Sequence, residues 1–384
     1  MELIQVFWII LSLPYVIWGI LSLKYQLHML QQNSYRNERY SLWLKTKGRQ
    51  NKKLFLPVLA VIPLLFGVAV GDYVSLLLWV IIYLIFLQTR DRAPAKKPLV
   101  FTARAKRLFT VALFVYFLPG LLLVIFVLGG DTNGLQKAVA MAVLILMNYF
   151  SWFFLILANI ILQPFEEHKK AAYFLEAQKL LSEAPGLIKI AITGSYGKTS
   201  VKHILNKIME EKFYTLMPPG SYNTPMGITI TVREQLNPLY QAFITEMGAK
   251  QKGDIKELCQ LVQPKYGILT AIGEQHLETF GSFENIVDTK FELIEALPED
   301  GIAVLNFDDE SIKANAYRMK GKVISYGLYS DAVDYRARDI TYNNRGMEFI
   351  VEAPNGEWEV IKTKLLGEHN VYNIVGAIAM AQAM

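Results

Sequence analysis

The sequence predicts a multi-helix transmembrane domain followed by an α/β domain with a mainly parallel sheet, and three observations carry that prediction. Apolar residues make up 53% of the 384-residue chain, mean hydropathy is +0.26, and the long apolar runs all lie before residue 163. Charge divides at the same place. Residues 1–163 hold 16 Lys/Arg against 5 Asp/Glu, a balance of +11, whereas 164–384 hold 23 against 29, a balance of −6. After Pro164, short β-type runs alternate with helical patterns, as in a sheet joined by helical crossovers. About 150 residues per domain gives two to three domains. A disordered chain is excluded by the hydrophobicity. A disulfide scaffold or Cys-rich metal site is excluded by the single cysteine, Cys259. The charge does not argue for nucleic acid, because the basic excess sits beside apolar runs.

Within 1–163, five segments approach the roughly 17–25 apolar residues that span a bilayer as a helix: 3–23, 54–70, 73–87, 108–128 and 135–162. A cleaved signal peptide over 1–23 lacks a basic n-region and a small-x-small site, and Glu2 is its only early charge. Two loops are basic. Residues 24–53 carry eight Lys/Arg with Glu38, and 88–107 carry seven with Asp91, whereas 129–134 have Asp131 and no base. The positive-inside rule places both basic loops in the cytoplasm. The segments between them then form a hairpin at Gly71-Asp72, with Asp72 a turn residue. Five crossings result, with the N-terminus outside and the C-terminal half cytoplasmic at a cell membrane. The basic loops then meet membrane lipid headgroups.

A linker helix is expected over 166–181, within a connecting segment 164–186, and the α/β domain over 187–384. Its first strand, 187–193, ends in Gly194-Ser195-Tyr196-Gly197-Lys198-Thr199-Ser200, and a helix follows over 201–212. Further strands are expected at 242–245, 266–271, 302–305 and 323–326, with helices at 254–262 and 283–296. Strands 346–352 and 357–362 flank Asn355-Gly356, a hairpin signal. A strand, a glycine turn and then Lys-Thr-Ser opening a helix is the context of a phosphate-binding P-loop. Backbone N–H groups face the phosphates, Lys198 neutralises their charge, and the Thr199 hydroxyl reaches Mg²⁺. The spacing departs from Gly-x4-Gly-Lys, since position 192 is Ile.

Thr193-Gly194-x-x-Gly197-Lys198-Thr199-Ser200 resembles the ATP loop of the Mur ligase family, the ATP-dependent amide ligases of cell-wall precursors and folate polyglutamates. The resemblance continues in order through Ser221-Tyr222-Asn223-Thr224-Pro225-x-Gly227, Glu246-Met247-Gly248-Ala249 and Thr270-Ala271-Ile272-Gly273-x-x-His276-Leu277. Lys290-x-Glu292, Asn306-x-Asp308-Asp309 and Gly367-x-His369-Asn370-x-x-Asn373 complete it. Phe280-Gly281 and Leu297-Pro298 point to the branch that adds D-alanyl-D-alanine. The resemblance implies ATP and Mg²⁺ as cofactors and a ligation through an acyl phosphate. It implies ATP contacts from Thr193, Gly194, Ser195, Tyr196, Gly197, Lys198, Thr199 and Ser200, with adenine contacts from Asn370 and Asn373. Thr199, Glu246, His276 and a carbamylated Lys290 are the implied metal ligands. Lys198, His276 and Lys290 are the implied catalytic set, and Asn223 and Thr224 face substrate. The implied partners are a nucleotide- or lipid-linked peptidoglycan precursor and an amino acid or dipeptide.

Each residue alone has a plainer role. Glu246 would be a solvated or capping carboxylate, His276 a surface imidazole, Lys290 an ordinary helix cation, and His369 and Asn370 a helix cap. Their order behind the phosphate loop is what reverses this. Two departures from the family stand out. Membrane segments occupy the place of the domain that binds the precursor's uridine-diphosphate end, and the sequence stops at Met384 inside the helix begun near His369. A truncated ligase, or one completed by a partner chain, is therefore expected. The competing readings are a poly-γ-glutamate-type ligase and a non-catalytic ATP-binding membrane subunit or sensor.

Overall fold

The computed structural model describes residues 3–48, 98–129, 133–275, 277–356 and 358–384, with isolated helical positions between 74 and 85. The chain divides into two units, Met1–His168 and Lys169–Met384. The predicted segments 54–70 and 73–87, the Gly71-Asp72 turn and most of the loop 88–107 lie outside the described residues.

The first unit is helical. Its described helices are α1 (Leu3–Gln32), α2 (Asn37–Gly48), α3 (Ala103–Gly129), α4 (Gly134–Tyr149) and α5 (Ser151–Ser182). Much of the expected loop 24–53 is therefore helical. The segment 135–162, expected as one span, is two helices bent by 66°. The break falls at Phe150, whose N–H turns back to the carbonyls of Leu146 and Asn148. Pro164 interrupts nothing. A proline removes one backbone donor without obliging a helix to end, and α5 carries it inside. The expected linker helix 166–181 is thus the second half of α5. Leu23, Leu27 and Leu30 of α1 pack with Leu108, Ala112 and Tyr116 of α3 and Leu144 and Ile145 of α4. The Tyr15 and Tyr116 rings stack 5.3 Å apart and lie over Gly120 and Gly19 respectively. Polar groups are joined inside: Ser22 with Ser151 at 2.6 Å, Asn159 with Asn37 at 2.8 Å, and Arg107 with Glu166 at 2.6 Å.

The outward side of α3 is the reverse of a soluble helix. Phe114, Leu118, Leu121, Leu122, Ile125 and Phe126 recur at helical spacing and are all exposed. Among the described residues, Ala103–Val127 is the one helix long and apolar enough to cross a membrane, or one of two if the bent pair Leu135–Tyr149 and Ser151–Ser182 counts as a span.

The second unit holds a nine-stranded sheet in the order β2-β3-β1-β4-β5-β6-β7-β8-β9. The strands are β1 (Ile188–Thr193), β2 (Thr215–Leu216), β3 (Ala242–Glu246), β4 (Tyr266–Leu269), β5 (Ile302–Asn306), β6 (Lys322–Gly327), β7 (Tyr335–Asn343), β8 (Gly346–Glu352) and β9 (Trp358–Thr363). Pairing is parallel from β2 through β7 and antiparallel in the last two pairs. The mainly parallel α/β expectation therefore holds. The helices are α6 (Lys198–Met209), α7 (Pro225–Gln235), α8 (Asp254–Val262), α9 (Phe283–Ala296) and α10 (Glu368–Gln382), with single turns at Leu277–Phe280 and Glu310–Asn315. One core layer packs Phe243, Leu261, Phe291 and Leu305, and the other packs Ile192, Leu205, Ile244, Val304 and Val375. The sheet is thus covered on both faces, as parallel strands require.

Candidate active site

Parallel strands deliver ligand-binding loops at their carboxyl ends, and β1 sits between β3 and β4. The turn after β1 is possible because of two glycines. Gly194 has φ +148°, and a Cβ there would stand 2.0 Å from Thr270 Oγ1; Gly197 has φ +81°, and its Cβ would stand 2.4 Å from Asn373 Oδ1. Both positions favour glycine for conformation and space together. The loop is pinned from the side. Ser195 N–H donates to the Ala271 carbonyl at 2.7 Å, and the Ser195 hydroxyl exchanges 3.0 Å contacts with the Gly273 N–H and carbonyl. The Thr270 hydroxyl donates to the Tyr196 carbonyl, and Thr193 Oγ1 to the Met247 carbonyl at 3.0 Å. α6 begins without a side-chain cap and has no acid in its first turn. Its first N–H groups are a ready anion site.

A cation and a carboxylate converge there. Lys198 arches back over the loop and donates to the carbonyls of Gly194 at 2.6 Å and Ser195 at 3.2 Å. Burial lowers its pKa, and Glu246 opposes that shift. Glu246 ends β3 in register with Ile192. It is wholly buried, and its Oε2 accepts from the Thr199 hydroxyl at 2.6 Å. Its Oε1 is buried with no hydrogen-bond partner among the described residues. A buried carboxylate oxygen without a donor is costly, and a hydroxyl beside a carboxylate at a phosphate loop is the hard-oxygen pair Mg²⁺ takes. The loop fits a nucleotide phosphate in the same way, since a side chain at either glycine would fill the cradle.

Lys290 lies on α9, 4% exposed, with no hydrogen bond or ion pair to its ammonium among the described residues. Burial, reinforced by the like charge of Lys198, pulls its pKa down to about 7 against the attraction of Asp254 and Glu292. The structure thus brings Lys290 into the field of the phosphate loop. His276 lies outside the described residues. Glu292, its partner in the Lys-x-Glu motif, is a cap: its carboxylate accepts from Gly253 N–H at 2.7 Å and Lys256 N–H at 2.8 Å, holding the start of α8.

Asn223 and Thr224 carry structural duties too. The Asn223 carbonyl accepts from Gly248 N–H at 2.9 Å and its side chain packs over Gly248, which sets it beside the Glu246 segment. Thr224 caps α7 by accepting from Gly227 N–H. The two asparagines of α10 stay in contact, the Asn373 amide donating to Asn370 Oδ1 at 3.4 Å, but their other neighbours differ. Asn373 stands over Gly197 at the phosphate loop, whereas the Asn370 amide donates to the Leu366 carbonyl at 2.8 Å. Asn306-x-Asp308-Asp309 is wiring. Asn306 donates to the Thr270 carbonyl, Asp309 accepts from Ile272 N–H and caps the turn at Glu310–Asn315, and Asp308 collects Leu328, Tyr329 and Ser330 N–H and the Tyr372 hydroxyl. Sequence reasoning missed Lys202, whose only signal is its place four residues after Lys198.

Gly197→Ala tests the cradle. Its strained φ and the clash with Asn373 are expected to lower ATP affinity about tenfold or more, read by titration calorimetry; unchanged affinity would remove the loop from the site.

Sheet, loop and buried carboxylate together define a phosphate-loop nucleotide-binding domain. Residues 192–381 match the family described as Mur ligase middle domain. The UDP-N-acetylmuramoyl-tripeptide–D-alanyl-D-alanine ligase of Bacillus subtilis (strain 168) is 32% identical over 190 residues, covering 50% of this chain and 40% of that one. The ligase of the same name from Escherichia coli (strain K12) is 31% identical over 196 residues, covering 51% and 43%. Among solved structures, MurF from Acinetobacter baumannii aligns with a TM-score of 0.52 at 27% identity, covering 56% of this chain and 46% of that one. MurF ligase from Thermotoga maritima, in complex with ADP, aligns with a TM-score of 0.52 at 26% identity, covering 56% and 49%. The chain therefore spans less than half the length of these relatives. ATP and Mg²⁺ are the cofactors of the domain, and the loop, Thr199 and Glu246 fit them.

Proposed function

We propose that the chain carries the ATP half-site of a membrane-bound, MurF-type amide ligase that joins D-alanyl-D-alanine to a peptidoglycan precursor through an acyl phosphate. The pairing of Thr199 with the half-satisfied Glu246 at the phosphate loop carries this reading, and the likeness to the D-alanyl-D-alanine ligases supplies the substrates. Phosphoryl transfer is mainly positioning and charge stabilisation. Lys198 and the α6 N-terminus hold the phosphates, Thr199 and Glu246 hold Mg²⁺, and Asn373 closes over the loop. Lys290, carbamylated as in the resembling ligases, becomes an anionic oxygen ligand for a second metal with His276, on the side where the carboxylate is activated. Asn223 and Thr224 face the precursor.

The membrane part of the proposal rests on the exposed apolar side of α3 and the basic segments that flank the apolar runs. With five crossings, the N-terminus lies outside and the ligase domain in the cytoplasm. Residues 1–163 then anchor the enzyme and present a lipid-linked precursor to it. The test is ATP binding and phosphate release by the purified chain in detergent, given D-alanyl-D-alanine with either nucleotide-linked or lipid-linked precursor. Mg²⁺-dependent binding, with phosphate release that needs the precursor and prefers its lipid-linked form, is the expected outcome. Equal use of the soluble precursor would refute lipid presentation. Binding without any acceptor-dependent release would favour a non-catalytic ATP-binding subunit.

A further inference from the structure

Lys202 is wholly buried on α6, yet no carboxylate lies within ion-pair distance among the described residues. A lysine is almost never fully buried unless paired, and burying its charge on neutral partners is costly. Its ammonium donates to two carbonyls of one loop, Pro218 at 2.9 Å and Gly220. That loop runs from the end of β2 to Asn223 and Thr224, the residues placed on the precursor side. Its other end is tied to the Glu246 segment by the bond between Gly248 N–H and the Asn223 carbonyl. Asn206, one turn further along α6, accepts from the Thr215 hydroxyl at 2.7 Å, so one face of the helix grips β2 and the loop after it. The same helix begins with Lys198 and Thr199. Lys202 follows Lys198 by one turn, on the same side of the helix.

We propose that Lys202 is a positioning residue that couples nucleotide occupancy of the phosphate loop to the arrangement of the precursor-side loop 217–224. The identity of the two sites rests on the ligase reading above; the clamp itself rests on the two carbonyl contacts. Lys202 touches neither nucleotide nor acceptor in this scheme. A neutral side chain of similar length should fill its space and keep the fold, since replacing a buried charge by an apolar group is often neutral or stabilising.

The experiment is amide hydrogen exchange on the full chain, wild type, Lys202→Met and Lys202→Arg, with and without ATP and Mg²⁺, alongside calorimetric ATP affinity. In the wild type, nucleotide is expected to slow exchange across 217–224. In Lys202→Met that loop should exchange about tenfold faster without nucleotide and lose the nucleotide response, while ATP affinity stays within about threefold. Lys202→Arg, which keeps charge and donors, should restore protection. Unchanged loop exchange in Lys202→Met overturns the proposal. So does a tenfold loss of ATP affinity with the loop undisturbed, which would make Lys202 a nucleotide ligand. If Lys202→Met exchanges fast throughout, Lys202→Arg decides: wild-type loop protection upholds the clamp, and fast exchange confined to the loop overturns it. A wild type that fails to bind ATP sinks the ligase reading, while the comparison without nucleotide still tests the clamp.

Discussion

Glu246→Gln is expected to weaken Mg²⁺-dependent ATP binding by at least about 100-fold, because even outer partners of metal ligands are worth 10–100-fold. The carboxylate is wholly buried, one oxygen takes the Thr199 hydroxyl, and the other has no donor among the described residues. Its charge already acts on Lys198 and Lys202, whose depressed pKa values it partly restores. Glutamine has the same shape and can still accept from Thr199, so the loop keeps its geometry. What disappears is the negative charge that holds a hard cation. Two readings separate metal binding from a purely structural role. Without ligand, the thermal midpoint should hold or rise, since a buried charge has been removed. Without Mg²⁺, ATP should bind no worse than to the wild type, because a repulsive carboxylate near the phosphates is gone. A variant that keeps the full Mg²⁺ gain would show that the metal is held elsewhere.

The parts of this site that follow from local chemistry were legible, and those that follow from tertiary contact were not. Helices α8 and α9 have the predicted bounds because their apolar period is regular and their ends carry signals, such as the Ser282 cap and the Leu297-Pro298 stop. Helix α7 was missed. Its Ile228-Thr229-Ile230-Thr231-Val232 run is β-branched and favours a strand, yet Thr224 and Pro225 at its start are helix-opening residues. The hairpin at Asn355-Gly356 exists, but Glu352 pairs with Trp358, so its loop is longer than the two-residue turn that the Asn-Gly pair favours. Tyr335–Asn343 was missed as a strand because its second half alternates little and faces solvent. Asn373 over Gly197, and Lys202 under Pro218, join positions far apart in sequence, which no local pattern encodes. The motif Asn306-x-Asp308-Asp309 read as part of a functional set. The structure gives it bonds to backbone N–H groups and to Tyr372, which hold the loops around the site rather than a ligand.

Lys290→Met is expected to raise thermal stability at neutral and acidic pH while abolishing any acceptor-dependent phosphate release. The sign follows from the depressed pKa. Burial and Lys198 lower the folded-state value from 10.5 to about 7, so the unfolded chain binds the proton more tightly than the folded one. The resulting destabilisation is full below about pH 7 and shrinks by about 1.4 kcal/mol per pH unit as pH rises towards 10.5, where it vanishes. The gain from methionine should therefore be largest at pH 6 and nearly gone by pH 10, measured as the difference in urea midpoint between variant and wild type. The same depression leaves a neutral, nucleophilic amine above about pH 7, the form that takes up carbon dioxide. Dissolved ¹³C-labelled carbon dioxide should therefore give a ¹³C-carbamate signal in the wild type that Lys290→Met lacks. ATP binding should survive the substitution, since Lys198, Thr199 and Glu246 are untouched. A stability difference that does not change with pH would show that Lys290 is protonated in the fold. Loss of ATP binding in step with phosphate release would place it on the nucleotide rather than on the activated carboxylate.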